Sequence, residues 1–308
     1  MKTFIKVVEI WIPDKQRCQL EFSSGMYGAL NDFKAASEQQ HFAYNEGLPG
    51  KAWAAGHPIV LTRFEYSYFK RTEAAQKAGL TCGIALPIFS GDFLLAVVVF
   101  LCGDDEAHAG AIEVWGNSPT DQDSLRVMNG YYGTLDYFEN ISRLVSMPKG
   151  KGLPGMAWQT GLPVLIDNIG QVDEFIRAGD AQLAGITTGL AIPVCTNNGQ
   201  SYVMTFLSAK ATPLAKRIQL WMPDATGKQL LCQQGYSKHT NTLAEMFESF
   251  AVKKGVGALG RVWLSGVPIL TTTPLAPEYN PELNSLSSML AMPVIKRGHL
   301  KAIVTFLF

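Results

Sequence analysis

The feature that most limits how this chain can fold is that one segment is written three times. GLPGKAWAAGHPIVL, Gly47 to Leu61, recurs as GLPGMAWQTGLPVLI, Gly152 to Ile166, and more loosely as GALGRVWLSGVPILT, Gly257 to Thr271. Trp53, Trp158 and Trp263 stand 105 residues apart, and each is followed at a fixed distance by Gly-x-Pro. Upstream, Trp11, Trp115 and Trp221 recur, then Tyr27, Tyr132 and Tyr236. Downstream, ALPI, AIPV and AMPV each lead into an apolar run. A fixed period along a whole chain means one structural unit repeated. The expected domains are 1–105, 106–212 and 213–308. Only about eight residues separate the last strand of one unit from the first of the next, so the units should abut.

Within one unit the hydrophobic period switches in a consistent order. Ile5 to Ile12 alternate as a half-buried strand, Pro13 and Asp14 turn the chain, and Gln19 to Phe22 return as the second arm of a hairpin. Asn31 to Gln39 has helical spacing, with Leu30, Phe33 and Ser37 on one side, matched by Leu135, Phe138 and Ser142. The GLPG turn opens a short helix that carries Trp53 and ends at Gly56. A second helix is expected over Tyr68 to Ala78, closed by Gly79. Strands Ile84 to Phe89 and Phe93 to Leu101 finish the unit. The fold class is therefore α+β: each unit is an antiparallel sheet of about six strands flanked by short helices.

That order of elements, with its GLPG turn, Gly-x-Pro strand, Ala-rich helix ending AGL, LPI strand and glycine hairpin, resembles the GAF domain, a small-molecule sensor module. The resemblance covers the chain three times over and is weakest in the third unit, where GVGALG replaces the turn. It implies a ligand pocket between the sheet and the helix that precedes the last two strands. It also implies long helices flanking each domain, for which this sequence leaves no room. With no kinase, cyclase or helix-turn-helix segment in the chain, a signal would leave through a protein partner or through self-association.

Composition narrows the function classes. Charged residues make up 17%, and 26 Lys+Arg balance 26 Asp+Glu, which argues against nucleic acid or an anionic membrane as partner. The longest apolar run, around Phe93 to Leu101, is well short of the roughly 20 residues a membrane helix needs. Cys18, Cys82, Cys102, Cys195 and Cys232 form an odd set without a CxxC, which fits core thiols in a reducing cytoplasm better than disulfides or a zinc site.

The candidate site lies on the second helix. Arg71, Ala74, Ala75 and Ala78 share one stripe in the first unit, and Arg177, Ala181 and Ala184 repeat it in the second. A guanidinium beside small side chains suits a planar or anionic ligand. It could equally snorkel to water or pair with a carboxylate such as Glu73 or Asp180. Trp53, Tyr68 and Cys82 in the first unit, and Trp158 and Thr187 in the second, complete the candidate contacts. No catalytic residue, metal or cofactor is assigned. The third unit lacks the Arg, and its shortened stretch Pro277 to Ser288 contains Pro281, so it is expected to serve packing or assembly. The functional expectation is a non-enzymatic sensory or regulatory protein. The rivals are a scaffold with filled pockets and a cysteine-dependent methionine sulfoxide reductase, a chemistry that the GAF family includes.

Overall fold

In the computed structural model, which describes residues 3–103, 108–118, 120–171, 175–196, 200–237, 250–272 and 286–308, the repeats become three separate sheets. The first unit runs β1 (Ile5–Pro13), β2 (Gln19–Met26), α1 (Asn31–Glu38), β3 (His41–Ala43), α2 (Gly47–Ala55), β4 (Ile59–Leu61), α3 (Thr72–Lys77), β5 (Leu80–Ser90) and β6 (Phe93–Gly103). The second runs β7 (Gly110–Ser118), β8 (Asp121–Tyr131), α4 (Asp136–Leu144), β9 (Met147–Pro148), α5 (Gly152–Thr160), β10 (Val164–Asp167), α6 (Ala178–Leu183), β11 (Thr188–Cys195) and β12 (Ser201–Ser208). The third runs β13 (Arg217–Pro223), β14 (Gln229–Ser237), β15 (Ala251–Lys253), α7 (Gly257–Ser265), β16 (Ile269–Thr271), β17 (Met289–Lys296) and β18 (His299–Leu307).

Every sheet has six antiparallel strands in the same spatial order, β3-β2-β1-β6-β5-β4 in the first unit. Even the irregularities repeat. The register of the first hairpin slips just before Trp11, Trp115 and Trp221, a bulge that bends the strand at each tryptophan. The helix after each glycine turn ends at a left-handed glycine, Gly56, Gly161 or Gly266. Its second glycine, Gly50, Gly155 or Gly260, lets the helix rest on the carbonyl of Ala43, Pro148 or Lys253, where a Cβ would come within 2.2–2.3 Å.

Two expectations are corrected. The strand Ile5 to Ile12 is buried on both faces rather than one. Val7 and Trp11 face the helices of their own unit, while Val8 and Ile10 join a core shared by all three sheets. Each sheet turns its inner face to the other two, so the apolar side chains need no polar alternation. Phe100, Phe206 and Phe306, equivalent in the repeat, meet in a triangle with ring centroids 5.4, 5.7 and 6.1 Å apart. The edge strand of each unit then packs on the second strand of the next, β4 on β8, β10 on β14 and β16 on β2, closing a ring with pseudo-threefold symmetry. The second helix, expected over Tyr68 to Ala78, spans only Thr72–Lys77. Before it the Thr72 hydroxyl donates to the Phe64 and Phe69 carbonyls, and the stacked Phe64 and Phe69 rings hold a loop in place of a helical turn. Most of the stretch Pro277 to Ser288 lies outside the described residues.

Candidate functional site

Between the sheet and the helices, the first two units hold the same buried polar constellation. In the second unit β7 alternates so that Glu113 and Trp115 point to the helix side, where Trp115 Nε1 donates to Glu113 Oε2 at 2.9 Å and Thr205 Oγ1 donates to the same oxygen at 2.8 Å. Arg177 caps the start of α6, its carbonyl accepting from the Ala181 amide. Its side chain turns inward to grip Glu113 with two parallel bonds, Nη1 to Oε1 at 2.6 Å and Nη2 to Oε2 at 2.9 Å. Nη1 also donates to Ser142 Oγ, which passes a hydrogen to the Phe138 carbonyl one turn back on α4. The guanidinium sits 4.7–5.5 Å from the rings of Phe138, Trp115 and Phe175.

The first unit repeats this with Arg71, Glu9, Ser37 and Trp11, and Tyr27 Oη adds a bond to Glu9 at 3.0 Å. Each Arg keeps one nitrogen, Nε, without a partner among the described residues. Burial by itself would push the Glu113 carboxyl up. The Arg177 guanidinium beside it, with the hydroxyl and indole donors, holds it below the usual carboxylate range instead. Burial, then the neighbouring carboxylates, push the phenols of Tyr27 and Tyr132 well up, so both stay neutral.

The expected site residues are thus placed as follows. Arg71 and Arg177 do sit at the helix–sheet boundary, but they pair with Glu9 and Glu113 on the first strands and not with Glu73 or Asp180. The Asp180 carboxylate instead accepts from Tyr137 Oη at 3.2 Å. Cys82 is buried on the opposite face of β5, in the core common to the three sheets, and is separated from the helices by the sheet itself. Trp53 and Trp158 are half-buried, with Lys149 lying 5.5 Å over Trp158; Tyr68 has Lys51 5.0 Å over its ring. Thr187 borders a dimple of about 170 Å³ with Gln182 and Asn168.

The groups that sequence reading missed are Glu9, Glu113 and the two serines. Their signal was the repeat itself. The Glu two residues before Trp11 and Trp115 becomes Gln219 before Trp221, in the unit whose shortened stretch carries no Arg, and there Thr305 Oγ1 donates to Gln219 Oε1 at 3.2 Å.

With its interior occupied, the first unit opens outward. A cleft of about 870 Å³ lies between α1 and α3, with Phe33 and Arg71 among its lining residues. Ala29, Ala36, Ala74 and Ala78 supply small walls, and Asp32, Lys70, Glu73 and Lys77 bring charges of both signs. Lys70 is held by Glu46 at 2.5 Å.

No family profile matches the chain, and no curated protein does. Among solved structures it is similar to the free methionine-R-sulfoxide reductase of Neisseria meningitidis, at 15% identity over 32% of this chain and 52% of that one, TM-score 0.26. It is similar to the nlh2 GAF domain of A. aeolicus, at 23% identity over 33% and 57%, TM-score 0.26. It is also similar to a nitrate-site mutant of NreA from Staphylococcus aureus, at 23% identity over 36% and 81%, TM-score 0.28. The chain spans little more than half the length of the first two, and each match takes in about a third of this chain.

Proposed function

For a chain built of three tandem GAF-like units, we propose a non-enzymatic sensory or regulatory role in which the first unit binds a small polar molecule in the cleft between α1 and α3. The observation that carries this reading is the contrast within one unit. The space between helices and sheet is taken by the Arg–Glu–Ser network, whereas the cleft outside it has the volume of a ligand site and presents Asp32, Glu73 and Lys77 around small side chains. Arg71 belongs to the wall of both. Its bonds to Glu9 fix the start of α3, so a ligand that presses on α3 also presses on the buried pair.

The thiols support the absence of a cysteine mechanism. A reactive cysteine needs a lowered pKa and access. The Asp14 carboxylate that Cys18 donates to raises its thiol pKa, and burial raises that of Cys195 and pushes Cys232 up to about 12. Cys82 and Cys102 are buried.

The test is native mass spectrometry of the purified chain for co-purifying small molecules, followed by calorimetric titration of any compound found. Lys77→Ala and Asp32→Ala are expected to weaken binding by roughly 10-fold each, about 1.4 kcal/mol, as for one charged contact. A ligand whose affinity neither variant changes would show that the cleft is not its site.

A further inference from the structure

The repeat exposes a side chain that the third unit has given up. In the turn between β1 and β2 the Arg17 amide donates to the Asp14 carbonyl, and the Asp14 amide donates to the Gln19 carbonyl. The turn between β13 and β14 repeats both bonds with Gly227, Asp224 and Gln229, so Gly227 stands where the first unit has Arg17. Both residues are left-handed, at φ 58° and 65°. Arg17 reaches across to the hairpin of β5 and β6, where its Nη2 donates to the Leu94 carbonyl at 2.6 Å and its guanidinium lies 5.5 Å from the centre of the Phe93 ring. The pairing of the last two strands in each unit makes His299 and Leu300 the counterparts of Phe93 and Leu94. With glycine in the turn, nothing is sent across to them from it. A pocket of about 410 Å³ opens there instead, with Gly227, His299 and Leu300 in its wall.

We propose that this pocket binds a small guanidinium compound that also carries a carboxylate, free arginine being the probe of that class. The first unit shows what the place accepts: a planar cation held by a carbonyl and a ring face. In the third unit the C-terminal end of α7 borders the same pocket through Ser265 and Gly266, and it adds the negative end of a helix dipole. The carboxylate follows from Lys254. That side chain lines the pocket with its ammonium 5.9 Å from the centre of the Trp263 ring, and none of the lining residues is acidic. A bare guanidinium would face an unbalanced cation, whereas a ligand bearing both charges balances it. The volume is that of a small-molecule site. Leu95 of the first unit completes the wall, lying so near Gly266 that a Cβ there would come within 2.9 Å of its Cδ1. The site therefore straddles the seam between first and third units, and its ligand would hold the two together. It shares no residue with the cleft between α1 and α3 and does not depend on the reading of that cleft.

Calorimetric titration of the full chain with L-arginine tests it, with an expected Kd between about 10 μM and 1 mM. Citrulline, which keeps the shape but has a neutral urea, and agmatine, which lacks the carboxylate, should each bind at least about 10-fold more weakly. Gly227→Arg returns the first unit's own side chain to the turn. It should abolish arginine binding with the circular dichroism melt retained, since Arg17 adopts the same backbone conformation and a Cβ at Gly227 meets nothing within 4 Å. Should that variant fold poorly, Lys254→Met, at an exposed side chain, should weaken arginine by about 10-fold without weakening agmatine. Lys77→Ala, in the cleft of the first unit, should leave arginine binding unchanged, which keeps the two sites distinguishable. No arginine binding up to about 10 mM, citrulline bound as tightly as arginine, or arginine binding undiminished in a folded Gly227→Arg or Lys254→Met chain would each overturn the proposal.

Discussion

Replacing Arg177 by Met keeps most of the side-chain volume under α6 but removes the cation that compensates Glu113. The carboxylate would retain only Trp115 Nε1 and Thr205 Oγ1 as donors, and it is buried on all sides. Breaking a buried pair from one side costs about 3–5 kcal/mol, because the remaining charge is stranded in a medium that solvates it poorly. The loss of the cation's contacts with three aromatic rings adds to this. Adding Glu113→Gln removes the stranded charge and places here the residue of the third unit, where Thr305 Oγ1 donates to Gln219 Oε1. The double variant is therefore expected within about 2 kcal/mol of wild type; with Glu113→Gln alone also costing about 3–5 kcal/mol because it strands the cation, the coupling between the two sites is about 4 kcal/mol or more. Urea unfolding followed by tryptophan fluorescence reads this, since Trp115 is itself bonded to Glu113. The pH dependence gives a second reading of opposite sign in the two proteins. In wild type the folded-state pKa of Glu113 is depressed, so its stabilising contribution is present above the ordinary carboxylate pKa of 4.5 and is lost as pH falls through the lower folded value. In Arg177→Met the buried, uncompensated carboxyl has a raised pKa, so the variant should regain stability as pH falls from 7 toward 5. A single-variant cost below about 1 kcal/mol, or a double variant as unstable as the sum of the singles, would refute the account of a buried pair in which each charge compensates the other's desolvation.

Two further outcomes follow from the packing. Gly155→Ala should cost about 3 kcal/mol or more, because its Cβ would lie 2.2 Å from the Pro148 carbonyl, which a backbone cannot yield; Gly179→Ala, with open space around it in α6, should gain about 0.5–1 kcal/mol, both read from urea midpoints. Phe206→Ala should cost about 3–5 kcal/mol and, because that ring touches Phe100 and Phe306, should separate the calorimetric transition into more than one; a single transition of unchanged shape would mean the shared core does not couple the units.

How far the sequence could be read follows from which forces are local. The glycine turn, its helix and the Gly-x-Pro strand depend on backbone conformations that near neighbours dictate, and they stand where the repeat put them. The three sheets follow as well, since hairpins are joined by short turns. What was missed depends on contacts between distant segments. Glu9 and Arg71 are 62 residues apart, and nothing in the spacing of the Arg-bearing helix says that its cation is spent on the first strand. The shared core was hidden for a related reason. Alternation predicts one dry face per strand, and only the closing of the ring by three copies dries the other. Cys82 was misplaced by the same one-face assumption, since a residue at β5 could face the helices or the neighbouring sheets.

The ring that dries those faces is uneven, and its weak seam makes the last prediction. Where the second unit meets the first, Asn129 Nδ2 donates to the Val60 carbonyl at 3.1 Å, and where the third meets the second, Gln234 Nε2 donates to the Leu165 carbonyl at 2.7 Å. The register of the hairpins makes Ser24 the equivalent donor at the seam between first and third units, and Leu270 the equivalent acceptor on β16. Serine is too short to span that gap, and among the described residues the seam has instead a bond from Ser288 Oγ to the Met26 sulfur, a weak acceptor. An amide placed there should reach the Leu270 carbonyl as its two counterparts do. A part-buried hydrogen bond contributes about 0.5–1.5 kcal/mol, and ordering a glutamine side chain takes back part of that. Ser24→Gln is therefore expected to raise stability by about 0.5 kcal/mol, seen as a higher urea midpoint with an unchanged slope. Ser24→Ala, which removes no bond, should stay within about 0.5 kcal/mol of wild type. If the glutamine destabilises while alanine is neutral, the two units do not meet in the register that the other seams use, and the threefold relation among the repeats stops short of the third interface.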